Sequence, residues 1–237
     1  MFHLRFTVVV VVFYMMKTIS ATDLPESNLS KRVVEEWTPK LTKEMDARGQ
    51  DFGSELFIRI FKVSKELEVW VKTDSLFELF KTYKICTYGW KGLGPKTRQG
   101  DGYAPEGFYF VTPSSLNPWS SYHLAFNLGY PNAYDRAHNY TGGSLMVHGS
   151  CASIGCYAMT DKGIEEIYTL LYASFMNGQP FIRVHIFPFR MTEKELNRHK
   201  NSKWYNFWLN LKTGYDYFED KKIPPNVEVK LGKYVFE

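Results

Sequence analysis

Cysteine is scarce in this chain, which contains three cysteines among 237 residues. Three cysteines cannot form the dense disulfide framework that supports many small secreted domains. The odd number also means that at least one thiol, from Cys86, Cys151 or Cys156, stays unpaired within the chain. A chain of this length, with 44% hydrophobic residues, is long enough to bury a hydrophobic core.

Neither sign of charge dominates the sequence. The chain has 29 basic and 25 acidic residues, for a formal charge of +4. It shows no dense stripe of lysine and arginine with interleaved aromatic residues, which is the usual mark of a nucleic-acid-binding surface. This balance argues against a nucleic acid as the natural partner.

Long hydrophobic runs are also lacking. The run of residues 6–16 is shorter than the ~20 residues that a helix needs to cross a bilayer. Arg5 precedes it, and the small residues Ser20 and Ala21 follow, so residues 1–21 are predicted to be a secretory signal peptide. An uncleaved membrane anchor is the alternative. Removal of the leader would lower the formal charge to +2 and place the cysteines where disulfides can form.

The rest of the chain has the pattern of an α+β, β-rich protein. Residues 22–52 are predicted to form an N-terminal helical segment, with a helix from Pro25 to Gly49 that Pro39 kinks or ends. Strands are predicted from alternating or continuous apolar residues at 57–63, 65–72, 76–86, 107–111, 122–129, 143–148, 181–187 and 227–236. Residues 53–237 contain no linker and are predicted to form one domain.

Two further helices interrupt these strands. One begins near Thr160 or Asp161 and ends at Gly178. The other begins at Thr192, where Glu195 completes a capping box, and carries an aromatic stripe to Leu211 that is predicted to be core.

The segment Met146–Asp161 (MVHGSCASIGCYAMTD) concentrates reactive residues where a strand ends and a loop begins. His148 ends the predicted strand, and Gly149 and Gly155 allow the loop to turn back toward it. A thiol needs a nearby base to become a nucleophile, so His148 and Cys156 predict acyl transfer by a thiolate. The backbone N–H groups of Gly155 and Cys156 could then stabilise an oxyanion.

Two other readings of these residues remain open. Cys151 and Cys156 could form a disulfide, or Cys151 could oxidise reversibly onto a reactive Cys156. A zinc site from His148, Cys151, Cys156 and His185 is a weaker alternative, because the spacing matches no common zinc motif. Cys86, within a strand pattern, is predicted to be a buried small apolar residue.

The same loop resembles the L,D-transpeptidase catalytic (YkuD-type) domain family, whose signature is a histidine followed by a Ser-His-Gly-Cys box. Here the box is residues 153–156, Ser-Ile-Gly-Cys, with Ile154 in place of the box histidine and a shorter spacer after His148. These features resemble a short-loop subfamily of murein L,D-transpeptidase-like proteins from the Gram-negative periplasm. The similarity extends over IC at 85–86, LGPK at 93–96, GDGYAPEGFY at 100–109, FNLGYPNAYDRA at 126–137 and VHIFPFRMT at 184–192.

The resemblance implies a β-sandwich-like catalytic domain that acts on peptidoglycan stem peptides containing a diamino acid. It makes Cys156 the nucleophile, His148 the general base, and Gly149 the residue whose carbonyl orients His148. Gly155, with Cys156, would supply the oxyanion donors. It implies no cofactor and no metal, and a periplasmic location.

Several other residues are candidate substrate contacts. Ser153 and Tyr157 flank the nucleophile in sequence, and Lys96 and Arg136 could bind the carboxylates of a stem peptide. Glu106 could recognise an amine, although Pro-Glu-Gly is also ordinary turn chemistry. The candidate substrate contacts are therefore Ser153, Tyr157, Arg136, Lys96 and Glu106.

The outcome of the reaction is not fixed by these residues. Members of the short-loop subfamily include hydrolases that release an outer-membrane lipoprotein from peptidoglycan, and both reactions pass through the same acyl-enzyme. A non-catalytic peptidoglycan-binding protein is the alternative from another class, and Ile154 in place of histidine is the feature that supports it.

Overall fold

The computed structural model describes residues 24–237, so the predicted signal peptide lies outside the described residues. The helices are α1 (Asn28–Asp46), α2 (Ala133–Ala137), α3 (Asp161–Met176), α4 (Glu193–Arg198) and α5 (Tyr205–Lys221). The strands are β1 (Leu56–Phe61), β2 (Glu66–Thr73), β3 (Leu76–Lys84), β4 (Thr87–Tyr88), β5 (Gly107–Val111), β6 (Leu116–Asn117), β7 (Ala125–Asn127), β8 (Met146–His148), β9 (Tyr157–Ala158), β10 (Ile182–Phe187), β11 (Val227–Lys230) and β12 (Lys233–Phe236). The mixed α+β class predicted from the sequence is confirmed.

Two five-stranded sheets and a C-terminal hairpin make up the β structure. The first sheet has the order β3-β2-β1-β10-β5, the second β4-β9-β8-β7-β6, and β11 pairs with β12. In the second sheet β8 and β9 are parallel, with His148 opposite Ala158. This pairing brings the end of the histidine strand beside the segment that carries Cys156.

Helix α1 continues through Pro39 to Asp46. Of the two predicted outcomes, the one in which the helix ends at Pro39 is therefore wrong. Its first turn is capped by Ser27 and Ser30, each of which binds the backbone N–H of the other. The helix lies against α3 and buries Val33, Leu41 and Met45. In the part of the chain that the structure describes, no helix is long and apolar enough to cross a membrane.

Two predicted elements are divided in the structure. Residues 227–236 form a hairpin and not one strand, because Leu231 and Gly232 adopt φ values of +51° and +70° between β11 and β12. The predicted helix from Thr192 to Leu211 is interrupted after Arg198 and resumes at Tyr205. The capping contact of Thr192 with the N–H of Glu195 is present, at 3.3 Å.

The core has two main parts that lie on opposite faces of the first sheet. The larger part joins apolar residues of the first sheet, the second sheet, α1 and α3, including Ile58, Val147 and Ile164. The other part joins the opposite face of the first sheet to α5 and the C-terminal hairpin. The second sheet, which carries His148 and leads from Cys156, is therefore supported by the larger core.

Candidate active site

Cys156 lies directly before β9 and contacts the strand that leads to His148. The N–H of Met146 donates to Cys156 Sγ at 3.4 Å, and the thiol faces the carbonyl oxygen of Ser144 at 3.7 Å. The parallel pairing of β8 with β9 places Cys156 beside Met146, two residues before His148. The sheet thus brings together the two residues that the sequence predicted as base and nucleophile.

His148 is only 3% exposed, and its ring contacts the Gly149 carbonyl oxygen at its edge and the Tyr122 ring on its face. Its Nδ1 atom lies 2.7 Å from the carbonyl oxygen of Gly149, which can only accept a hydrogen bond. In the neutral ring Nδ1 therefore carries the proton, and Nε2 has a free lone pair. The ring of Tyr122 covers the imidazole, with 4.7 Å between centroids.

Burial disfavours the charged form of both groups. Burial lowers the pKa of His148 below its usual value, and the hydrogen bond to Gly149 opposes this only in part. Burial also raises the pKa of the Cys156 thiol, against the smaller opposite effects of the Met146 N–H and the charge of Lys96. Within residues 24–237, no hydrogen bond joins the two side chains. The environment therefore favours a neutral thiol and a neutral imidazole over a thiolate–imidazolium pair.

The loop after His148 has a backbone that admits little change. A Cβ on Gly149 would lie 2.6 Å from Asp161 Oδ1 and 3.1 Å from the carbonyl oxygen of Tyr122. Ser150 and Cys151 adopt left-handed φ values of +66° and +49°, which non-glycine residues rarely adopt. The contact of the Ser150 N–H with Asp161 Oδ1, at 2.7 Å, holds this turn against the start of α3.

A disulfide between Cys86 and Cys151 corrects one prediction made from the sequence and removes two alternatives. Cys86 is not an unpaired apolar residue, and Cys151 is not paired with Cys156. The zinc alternative loses one of its ligands, since the Cys151 sulfur is already bonded to Cys86. Cys156 is the remaining free cysteine of the chain, and its side chain is half-buried.

Ser153 and Gly155 are joined by a hydrogen bond within the loop. The Gly155 N–H donates to Ser153 Oγ at 3.0 Å, and that hydroxyl donates to the Cys156 carbonyl oxygen at 2.7 Å. Ser153 therefore shapes the turn before the nucleophile. Gly155 could donate to an oxyanion only after it releases Ser153.

Two of the candidate substrate contacts are buried and already paired. Tyr157 is fully buried, and its hydroxyl donates to the Pro105 carbonyl oxygen at 2.7 Å. Glu106 is also fully buried and accepts hydrogen bonds from Lys62 at 2.9 Å and Trp208 at 2.8 Å. Both side chains thus stabilise the fold and have no exposed polar atom to offer a substrate.

The remaining two candidate substrate contacts, Arg136 and Lys96, differ in position. Arg136 is exposed on α2 and donates to the Pro131 carbonyl oxygen, and no contact in the described part of the chain joins it to the Cys156 loop. Lys96 is buried, 5% exposed, and donates to Asp101 and to the carbonyl oxygen of Arg98, both at 3.0 Å. Of these two cations, Lys96 is the one whose charge acts on the Cys156 thiol.

Sequence reasoning missed two features next to His148. It assigned no role to Tyr122 or to His123. The structure places His123 Nε2 at 2.7 Å from Glu165 Oε1, and Glu165 also accepts from Trp37 at 3.0 Å. Both pairs join residues far apart in sequence, so no local signal could have revealed them.

The chain is similar to known proteins of one family. Residues 58–186 match the family model described as the L,D-transpeptidase catalytic domain, YkuD. Over 198 residues the chain is 50% identical to YafK of Escherichia coli K12, a protein named provisionally as an L,D-transpeptidase, and the alignment covers 84% of this chain and 79% of YafK. YafK of E. coli O157:H7 matches to the same extent. A solved structure, the helical cell shape determining protein Pgp2 from Campylobacter jejuni, is 18% identical with a TM-score of 0.45, over 86% of this chain and 82% of that one.

Proposed function

Because the chain belongs to the family of L,D-transpeptidase catalytic domains, we propose that it is a cysteine-dependent acyl-transfer enzyme. Its substrate would be a peptidoglycan stem peptide, cleaved at a diamino-acid linkage in the periplasm of a Gram-negative bacterium. One observation carries the proposal: a free, half-buried thiol at Cys156 directly precedes β9, which pairs with the strand of His148, and the Nδ1 atom of His148 is fixed by Gly149 so that Nε2 can act as a base.

The first half of the reaction forms a thioester. His148 Nε2 takes the proton of the Cys156 thiol as the sulfur bonds to the substrate carbonyl carbon. The tetrahedral intermediate collapses, the carbon–nitrogen bond breaks, and His148 returns the proton to the leaving amine. Because burial favours the neutral forms of both groups, the thiol would lose its proton to His148 as it attacks the carbonyl carbon.

The negative charge of the intermediate needs donors and cations close to the sulfur. The backbone N–H groups of Gly155 and Cys156 are the proposed oxyanion donors, and Gly155 would exchange Ser153 Oγ for the substrate oxygen. Lys96 uses two of its three ammonium hydrogens on Asp101 and Arg98. The third is the proposed contact for a substrate carboxylate, and its charge would also favour the developing thiolate.

The second half of the reaction decides between transfer and hydrolysis. An acceptor amine that attacks the thioester makes a new peptide bond, whereas water releases the acid and regenerates Cys156. If the bond broken joins peptidoglycan to an outer-membrane lipoprotein, hydrolysis would release that lipoprotein. Ile154, 79% exposed where the family motif has histidine, has no donor or acceptor with which to direct either acceptor.

Acylation by a β-lactam, followed by intact-protein mass spectrometry, tests the cysteine mechanism. The wild type should gain the mass of the probe, and Cys156→Ala should not. His148→Gln should still react with iodoacetamide but should acylate at least about 100-fold more slowly, since a positioned base contributes at least that factor. Equal adduct formation in the wild type and Cys156→Ala would contradict the assignment.

Digestion of purified peptidoglycan, with and without bound lipoprotein, tests the substrate and the outcome. New cross-linked peptides would indicate transfer, and released lipoprotein or trimmed linkages would indicate hydrolysis. Asn201→Ala, a change at an exposed position on the connection between α4 and α5, is the control and should match the wild type. If the wild type and Cys156→Ala give the same products as buffer, the chain is a peptidoglycan-binding protein without this activity.

A further inference from the structure

Three aromatic side chains are exposed on the loops that border the active site. Trp90 is 60% exposed, Trp119 is 68% exposed and Tyr122 is 50% exposed. We call these three residues the aromatic rim. None of them has a role in the proton transfers proposed above, and their exposed surface is unusually apolar for a loop.

Tyr122 contacts the general base directly. One face of the Tyr122 ring packs on the imidazole of His148, with an angle of 33° between the planes, and the side chain remains half exposed. Trp119 lies three residues earlier in the same loop. This loop therefore carries two exposed aromatic side chains, one of which contacts His148.

Trp90 lies on the loop that borders Cys156. Its indole covers Gly102 so closely that a Cβ there would lie 2.5 Å from the ring. The carbonyl oxygen of the next residue, Tyr103, lies 3.8 Å from the Cβ position of Gly155, which precedes Cys156. The rim thus approaches the catalytic loop from two different loops.

The loop of Trp119 and Tyr122 is fixed in place. Ser27 Oγ donates to the Pro118 carbonyl oxygen at 2.9 Å, and the Gly149 N–H donates to the Tyr122 carbonyl oxygen at 3.0 Å. His123 is held by Glu165 on α3. These contacts fix the backbone of the loop, which reduces the ordering of the main chain that binding would require.

We propose that the aromatic rim binds the glycan strand of a peptidoglycan substrate, an inference that rests on the proposed function. The apolar face of a pyranose ring packs against the face of an aromatic side chain, whose large flat surface and negative quadrupole suit C–H groups. A stem peptide is attached to a sugar and spans about 3.5 Å per residue, so its sugar lies within roughly 10–15 Å of a peptide bond at Cys156. The rim lies on loops at this margin of the site.

The first test compares two substrates with the same stem peptide, one attached to its disaccharide and one from which the sugar has been removed. Trp119→Ala and Trp90→Ala should each lower kcat/KM for the sugar-bearing substrate by about tenfold, and change the value for the free peptide by less than about twofold. Phe110→Ala is the matched control, because Phe110 is 57% exposed but lies on β5 in the other sheet. It should change neither value.

The second test needs no turnover and uses a peptide-free tetramer of N-acetylglucosamine as the probe. In Cys156→Ala, the indole N–H signals of Trp90 and Trp119 should shift in the NMR spectrum as the probe is added. The other indole signals, including that of the buried Trp208, should stay in place.

The outcomes separate this inference from the proposed function. If the wild type turns over the two substrates equally and the tetramer shifts neither indole, the glycan inference is wrong and the function stands. If neither substrate is turned over, the proposed function fails, and the tetramer still decides whether the rim binds sugar. If the rim variants lose activity only on lipoprotein-linked material, with or without sugar, a protein occupies the rim and the glycan inference is overturned.

Discussion

At the residue scale, the chemistry of the site depends on two neutral groups. The pKa of His148 is lowered and the pKa of Cys156 is raised, in each case mainly by burial. A base with a lowered pKa remains unprotonated at a pH where an ordinary histidine would be charged. The acid limb of kcat/KM should therefore have its midpoint below the usual histidine value of about 6.5.

The reactivity of the thiol gives a direct prediction. The rate of alkylation of Cys156 by iodoacetamide should rise with pH to a midpoint above the ordinary value for a thiol. Lys96→Met should move that midpoint further upward, because a positive charge near the thiolate is lost. Lys91→Met, at an exposed position, is the control. A midpoint that is unchanged in Lys96→Met would show that this charge does not act on the sulfur.

Asp135 gives a prediction about stability. Burial raises its pKa from 3.8 to about 6, and its Oδ1 is buried with no hydrogen-bond partner. Between these values the folded protein binds more protons than the unfolded chain, so the free energy of unfolding falls as the pH rises. The contribution of this carboxyl should fall by about 2 kcal/mol between pH 4 and pH 7.

Urea unfolding of the wild type and Asp135→Asn at several pH values measures this effect. Asparagine cannot ionise, so the difference between the two free energies of unfolding should follow the titration of Asp135. If the free energy of unfolding falls equally with pH in the wild type and in Asp135→Asn, the pH dependence comes from other groups.

The sequence predicted some residues of the site well and others badly, for a physical reason. Cys156 and His148 are near in sequence and follow a strand pattern, so their neighbourhood could be inferred locally. Glu106 and Tyr157 also lie in matched motifs, but their burial depends on contacts with Lys62 and Pro105 far away in the chain. Local sequence contains no information about such partners.

At the scale of elements, length decides how well sequence patterns predict structure. Helix α3 and strands β1, β2 and β5 were predicted within a few residues, because each is long enough to show a periodic or continuous apolar pattern. The two-residue strands β4, β6 and β9 were not predicted. They are paired strands only because tertiary structure aligns them, and two residues show no period.

The disulfide provides a prediction at this scale, since it ties the loop between His148 and Cys156 to the start of β4. Cys86 and Cys151 are 65 residues apart, so the Cys86→Ala/Cys151→Ala double variant should lose about 4 kcal/mol in free energy of unfolding, from chain entropy alone. Its kcat should also fall, because Ser150 and Cys151 would relax from their left-handed conformations and loosen the loop. Urea unfolding and peptide turnover measure the two effects.

A reductant provides the control for this variant. Dithiothreitol should lower the stability of the wild type toward that of the double variant and leave the double variant unchanged. Full stability of the double variant would mean that the fold alone holds the loop.

At the scale of the whole molecule, a buried ion pair connects the first sheet to the active-site loops. Lys62, directly after β1, donates to Glu106 at 2.9 Å and to the carbonyl oxygens of Gly94 and Ala104 at 2.9 and 3.1 Å. Glu106 in turn accepts from Trp208 on α5. One fully buried pair therefore joins both parts of the core to the segment that carries Lys96.

Glu106→Gln should be strongly destabilising, because it leaves the buried charge of Lys62 without a counter-charge. The expected loss is about 3–5 kcal/mol in free energy of unfolding. The more exposed pair Lys72–Glu55, 2.8 Å long against 2.9 Å for Lys62–Glu106, is the matched control, and Glu55→Gln should cost less than about 1 kcal/mol. The double variant Lys62→Met/Glu106→Gln should recover part of the loss, since it removes the buried charge itself. If Glu106→Gln and Glu55→Gln lower the free energy of unfolding by the same amount, the buried pair does not hold the sheet, the helix and the site together.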